Sequence, residues 1–297
     1  MRNVTEETLT QAVLDTISKD ADPRFREIMT GLIKHLHEFA LETNLSKEEW
    51  LGAIEFLYQT GKKTTRNRNE FILLSDTLGL SSMVDMISSR GNDDATAVSV
   101  LGPFYIEGAP FIKNGGDLIR DNAGQQTLVK GRVSSTTGEP VSGALLDIWQ
   151  NAENGKYSNE DPDQDDNNFR ARLNADDSGS YSFTTIRPAP YTVPEDGPAG
   201  VMLEAMGRHP WRPAHIHFKV SADGYQDLIT EIYPDDDEYI DTDAVFGVRD
   251  SLAVSFKPTT TEEEAVQYGL KSPFLTVEYD FRLRPLCLSD VSAYGTN

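Results

Sequence analysis

The chain has a single cysteine, Cys287, among 297 residues. One thiol forms no intrachain disulfide and no thiolate cluster, so a bound metal would have to take nitrogen and oxygen donors. Histidine is scarce too: there are five, and four of them fall into two His-x-His pairs, His35/His37 and His215/His217. Basic residues are outnumbered 27 to 48, a formal charge of −21, and so acidic a surface repels nucleic acid and anionic membranes. No run approaches the roughly 20 apolar residues of a membrane span. The opening MRNVTEETLT has no apolar signal core. Walker loop, dinucleotide fingerprint and nucleophile elbow are all missing. These absences predict a cytoplasmic protein without a membrane span or a nucleic-acid partner. What is present, 38% hydrophobic residues with 13 Phe and 11 Tyr, can build a core.

Helical punctuation fills the first 90 or so residues. Phe25, Ile28, Met29, Leu32, Ile33, Leu36 and Ala40 recur at three- and four-residue intervals behind the helix-opening pair Asp22-Pro23. Ser46 and Glu49 form a capping box. Residues 69–88 carry Phe71, Leu74, Leu78 and Met83 on a helical pattern that Gly79 breaks. From Thr127 the period becomes two, with strands expected at 128–133, 144–149, 180–186, 214–220, 228–232, 252–256 and 275–283. The expectation is an α+β chain: a helical domain over 1–100, then an antiparallel β-sandwich over 101–297 with no helices between its strands. LGPFYIEGAP, residues 101–110, connects them as a chain crossing or as a pocket wall. The acidic clusters at 160–166 and 235–238 lack EF-hand spacing and read as solvated loops.

The two histidine pairs have opposite meanings. In the strand-like WRPAHIHFKV, His215 and His217 point to one face with Cβ atoms about 6.6 Å apart, near enough to lean onto one ion. In the helical GLIKHLHEFA, positions two apart diverge by about 200°, so His35 and His37 are surface residues. Two neutral imidazoles leave a cation's charge uncompensated. Glu231, in the adjacent strand LITEIY, would complete the two-histidine, one-carboxylate set of ferrous oxygenases. Tyrosines would point instead to a ferric ion, because a phenol with a pKa near 10 gives up its proton only to a highly charged cation. Composition alone does not choose among eleven tyrosines.

Four separated stretches, LGPFYIEGAP, DIWQNAENGKYSN, RPAPYTVP and RPAHIHFKV, make the chain resemble the intradiol ring-cleaving dioxygenases over nearly its whole length. The resemblance implies an Fe(III) cofactor held by Tyr157, Tyr191, His215 and His217. It also implies dioxygen insertion between the two hydroxylated carbons of an aromatic diol, with Tyr191 displaced as the base and Arg212 stabilising the anion on the ring. FILLSDTLG looks like the hydroxyquinol branch, where a third ring hydroxyl would find an acceptor in Asp76; catechol-cleaving relatives tend to have proline there. The product would be 3-hydroxy-cis,cis-muconate, or maleylacetate. By the same resemblance Leu73, Val100, Gly102, Pro103, Phe104, Val193, Pro194 and Val245 line the substrate pocket with Asp76 and Arg212. A homodimer through the helical region, sometimes with a bound lipid, is also implied. Glu231 departs from the glutamine of catechol-cleaving members. Three rivals stand beside this reading: a catechol 1,2-dioxygenase, the ferrous triad, and a non-catalytic prealbumin-like module, which VKGRVSSTTGEPVSGALLDIW also resembles.

Overall fold

Helices begin where the sequence places their caps. The structure, a computed structural model, describes residues 3–65, 68–91 and 94–286, so Cys287 lies outside the described residues. Helices α1 (Glu6–Leu14), α2 (Pro23–Glu42), α3 (Lys47–Lys63), α4 (Glu70–Thr77) and α5 (Leu80–Ser88) come first. Asp22 accepts from the Phe25 amide at 2.8 Å. Ser46 and Glu49 exchange side-chain and backbone hydrogen bonds of 2.8 and 3.2 Å. Gly79 sits at φ +74° between α4 and α5, a left-handed conformation that costs glycine little. Two compact units emerge, residues 1–58 and residues from 59 onward, with α3 running across the division. The apolar stripe of α2 stays outside: Phe25 and Leu36 are 58% and 56% exposed. Among the described residues no single helix is long and apolar enough to cross a membrane.

The second unit continues with β1 (Gly116–Asp117), β2 (Gln126–Ser135), β3 (Leu145–Trp149), β4 (Arg170–Asn174), β5 (Ser180–Ile186), β6 (Tyr191–Thr192), α6 (Pro198–Ala205), β7 (Trp211–Arg212), β8 (Ile216–Ser221) and β9 (Leu228–Pro234). It ends with β10 (Ala253–Val254), β11 (Lys257–Thr259), α7 (Glu262–Tyr268), β12 (Phe274–Glu278) and β13 (Phe281–Leu283). One sheet runs β1-β5-β2-β12-β11, with β13 also on β2; the other runs β10-β9-β8-β3-β4; β6 and β7 form a ribbon. The sheets pack face to face as a sandwich. Phe218 of β8 lies 6.1 Å from Phe183 of β5 and 4.9 Å from Phe281 of β13, ring centre to ring centre. Each such buried phenylalanine contributes about 1.5–3 kcal/mol.

Details depart from expectation for local reasons. The pairs β2/β5, β11/β12, β3/β4, β3/β8 and β8/β9 are antiparallel, but β1/β5, β12/β2, β13/β2 and β10/β9 are parallel. Helices α6 and α7 interrupt the strands, where none was expected. Of the stretch 252–256 only the two residues of β10 are strand, and they follow directly on a 3-10 turn that ends at Leu252. The stretch 275–283 divides into β12 and β13, which keep a common register on β2. At the break the Tyr279 carbonyl presses onto Gly131, where a Cβ would fall 1.7 Å from it, so only glycine fits.

Alternation on β8 sends Ile216, Phe218 and Val220 into the sandwich and His217 to the opposite face. Register then aligns a row across four strands: Arg170 faces Trp149, Trp149 faces His217, and His217 faces Glu231. This row occupies the outer face of the five-stranded sheet.

Candidate metal centre

His215 and His217 meet Tyr157 on that outer face. The two imidazole Nε2 atoms are 3.1 Å apart. The Tyr157 hydroxyl lies 3.2 Å from Nε2 of His215 and 3.1 Å from Nε2 of His217. All three side chains are buried. His215 Nδ1 is 2.8 Å from the Pro213 carbonyl, which only accepts, so Nδ1 carries the proton and Nε2 the lone pair. Tyr191 closes the group. The ribbon sets it opposite Arg212, whose charge favours the phenolate form of its hydroxyl. Its ring centre stands 5.6 Å from that of Tyr157 and 5.5 Å from that of His215.

Burial dictates the charge states. It pushes the Tyr157 phenol well above its ordinary pKa and Tyr191 up to about 12. Burial, with Arg212 adjacent, pulls His215 down to about 4, and burial takes His217 well below its usual value. Both imidazoles are therefore neutral ligands, and both phenols need a strong cation to become anions. Donors spaced 3.1–3.2 Å apart match ligands about 90° apart on an ion with bonds of about 2.1–2.3 Å. The side chains fit a metal ion.

Glu231 is the nearest carboxylate, and with the histidines it makes a buried trio whose ligand atoms lie within 4.8 Å of one another. Its oxygens are already engaged. Arg212 donates from Nη1 and Nη2 at 3.0 Å each, Ser99 donates at 2.8 Å, and Tyr233 donates as well. Burial works against its charge, yet Arg212 holds the carboxyl well below the usual range. Glu231 also faces His217 from the Nδ1 side, at 3.1 Å, while Nε2 faces Tyr157. That approach is too oblique to satisfy the Nδ1 hydrogen. Asp243 grips Arg212 from a second direction, 3.1 Å from Nε and 3.3 Å from Nη2. Arg212 Nη1 is left 3.2 Å from His215 Nε2. Removing one partner from so buried a cluster costs about 3–5 kcal/mol.

The connector 101–110 covers this face. Phe104 stacks on Tyr157 at 4.8 Å, and Tyr105 packs on Trp149 at 4.9 Å. Gly102 has φ +72°, and a Cβ there would come 3.3 Å from the His217 ring. Leu73, Val100, Val193 and Val245 share one buried cluster. Pro103 and Pro194 are half-buried beside Gly102 and Val193. Asp76, on α4, is 2% exposed; burial pushes its carboxyl up to about 6 against a hydrogen bond from Ser81. Most residues of the acidic loops are exposed, as expected; the exceptions include buried Asp161, which accepts from Asn154 at 2.7 Å, and half-buried Asp237, which accepts from the Ala214 amide at 3.0 Å. Sequence reasoning missed Asp243, Ser99, Tyr233, Trp149 and Arg170. Only Tyr233 had a signal, its two-residue spacing from Glu231 on β9.

The chain's similarities decide the family. Residues 100–285 match the family model described as Dioxygenase, and residues 22–96 match Catechol dioxygenase N terminus. The chain belongs to the intradiol ring-cleavage dioxygenases. It is 40% identical to hydroxyquinol 1,2-dioxygenase of Nocardioides simplex over 94% of this chain and 96% of that one. Identity to catechol 1,2-dioxygenase of Candida albicans is 37%, over 87% and 86% of the two chains. The crystal structure of hydroxyquinol 1,2-dioxygenase from Pseudomonas putida superposes with a TM-score of 0.86 at 43% identity, covering 95% of this chain and 99% of that one. Membership removes the prealbumin-like module as a reading of the whole chain. The intradiol dioxygenase thus carries a metal cofactor and a buried set of nitrogen and oxygen donors suited to it.

Proposed function

We propose that this dioxygenase cleaves hydroxyquinol with O2 between its two adjacent hydroxylated carbons, giving 3-hydroxy-cis,cis-muconate or its tautomer maleylacetate. Both oxygen atoms enter the product, so no organic reductant is consumed. Tyr157, Tyr191, His215 and His217 would hold a ferric ion, which activates the bound diol toward oxygen. The observation that carries this reading is the Tyr157 hydroxyl within 3.2 Å of both imidazole Nε2 atoms.

The chain's own residues have separate tasks. Tyr191 Oη accepts a proton from an incoming hydroxyl and turns away as a phenol. Arg212, fixed between Glu231 and Asp243, keeps Nη1 beside the histidines as a preorganised donor for negative charge on the ring. Leu73, Val100, Val193 and Val245, with Gly102, Pro103, Phe104 and Pro194, exclude water and shape the ring's slot. Asp76 accepts a hydrogen bond from the third hydroxyl, so a ring lacking that group deprives a buried carboxylate of one partner.

Purified enzyme should be wine-red from tyrosinate-to-iron charge transfer and should open hydroxyquinol faster than catechol when both are followed by absorbance. Faster opening of catechol would make it a catechol 1,2-dioxygenase. A colourless, active iron protein would favour the two-histidine, one-carboxylate site with Glu231, the second reading that the buried trio supports. The enzyme is assigned to the cytoplasm, consistent with its acidity and single cysteine. Residues 1–100 are the proposed dimerisation domain. The exposed stripe of Phe25, Ile28, Leu32 and Leu36 on α2 supports a homodimer, whose apolar seam would also suit a bound lipid chain. Sedimentation as a 33.0 kDa species at micromolar concentration would count against the dimer.

A further inference from the structure

Arg170 and Arg212 are both buried, at 1% and 2% exposure, yet they are treated differently. Arg212 has Glu231 and Asp243 in ion-pair contact. Among the described residues no carboxylate reaches ion-pair distance of Arg170. Its guanidinium ends on two neutral acceptors: Nε donates to Ser158 Oγ at 3.0 Å and Nη2 to Asn159 Oδ1 at 2.8 Å. Burying a guanidinium without a carboxylate is unfavourable, and a neutral side chain would fill the space at less cost. The placement of its two acceptors supplies a reason.

Ser158 and Asn159 immediately follow Tyr157 in the chain. The guanidinium carbon also stands 5.9 Å from the centre of the Tyr157 ring. Arg170 itself opens β4 opposite Trp149, whose indole stacks on His217 at 4.7 Å with planes 8° apart. One side chain therefore reaches from the strand row that carries His217 to the loop that carries Tyr157. A planar fork with fixed N–H directions is suited to locking two successive acceptors; a lysine's single ammonium is not.

We propose that Arg170 is a positioning residue of the metal centre: by gripping Ser158 and Asn159 it fixes the turn from which Tyr157 reaches the histidine pair. The inference rests on the reading that Tyr157, Tyr191, His215 and His217 hold a ferric ion. It deepens that reading by adding the tie between the tyrosine loop and the histidine strand.

The test compares wild type, Arg170→Lys and the double variant Ser158→Ala/Asn159→Ala. Three quantities are read: ferric-ion affinity by competition with a chelator, the position and strength of the tyrosinate-to-iron band, and the melting temperature of the metal-free protein. Both variants should bind iron about 10- to 100-fold more weakly, as removal of outer-shell support does. The band should shift and weaken while the metal-free protein melts close to wild type. Unchanged affinity and band in both variants would overturn the proposal, as would an iron loss that only tracks a fall in metal-free melting temperature. If Arg170→Lys does not fold, the double variant is read alone by the same criteria. A wild type that binds iron without any such band would instead sink the ferric tyrosinate reading beneath it.

Discussion

The chain spells His-x-His twice, and the two copies have nothing in common beyond the spelling. On α2 the pair flanks a helix: His37 Nδ1 meets Thr10 at 3.0 Å, and exposed His35 meets Glu38 at 3.1 Å. At β8 the pair is buried and its Nε2 atoms converge to 3.1 Å. Backbone period accounts for part of the contrast, because two residues are one repeat of a strand and little more than half a turn of a helix. Surroundings account for the rest. Only the second pair has a carbonyl fixing one tautomer, a carboxylate behind the other ring and phenols in front of both.

Substitutions can break this contrast or sharpen it. His217→Ala should abolish stoichiometric metal and ring opening, measured by elemental analysis and absorbance; retention of both would erase the difference between the pairs. Tyr191→Phe should keep the metal but lower turnover by about 10²–10⁴-fold, the range for losing a positioned base, with one charge-transfer contribution gone. Near-normal turnover would remove Tyr191 as the proton acceptor.

Asp243→Asn loosens Arg212 without touching a proposed ligand. A fall in kcat/KM of about tenfold to a hundredfold is expected, less than the 10²–10³ of deleting a charge-stabilising donor outright, with metal content intact.

Asp76→Asn acts through pH as well as recognition. Burial raises the Asp76 carboxyl to about 6 from 3.8, so the folded enzyme binds that proton more tightly than the unfolded chain. Its cost to stability is absent below about pH 4, grows through the window to pH 6 and is full above it. The asparagine variant should therefore gain up to about 3 kcal/mol above pH 6, seen in denaturant midpoints, while its preference for hydroxyquinol over catechol shrinks. His37→Ala is the control: the lost bond to Thr10 is worth at most about 1 kcal/mol, and metal content should not move.

The histidine pair, the capping box at Ser46 and the break at Gly79 were legible because each depends on residues close in sequence. The tyrosines were legible only through resemblance: eleven phenols look alike until loops between strands bring two of them to one place. Asp243 and Ser99 were not legible at all, since their partners lie 31 and 132 residues away in the chain. Strand β4 was hidden by its composition, RARLN, whose arginines face outward at an edge and interrupt the apolar signal. Parallel pairing of β12 and β13 with β2 escaped for a similar reason. Alternation reports which face a residue takes, not which neighbour its strand chooses.

The outward quartet Arg170, Trp149, His217 and Glu231 has an inward neighbour row, Ala171, Ile148, Phe218 and Thr230. A single-residue insertion within β8 would exchange the two, driving an imidazole between the sheets and a phenylalanine toward the substrate slot. Folding error and catalytic failure are thus the same event in this sheet. Length changes there should be lethal to the enzyme, while the exposed turn at Thr137-Gly138 is free to absorb them.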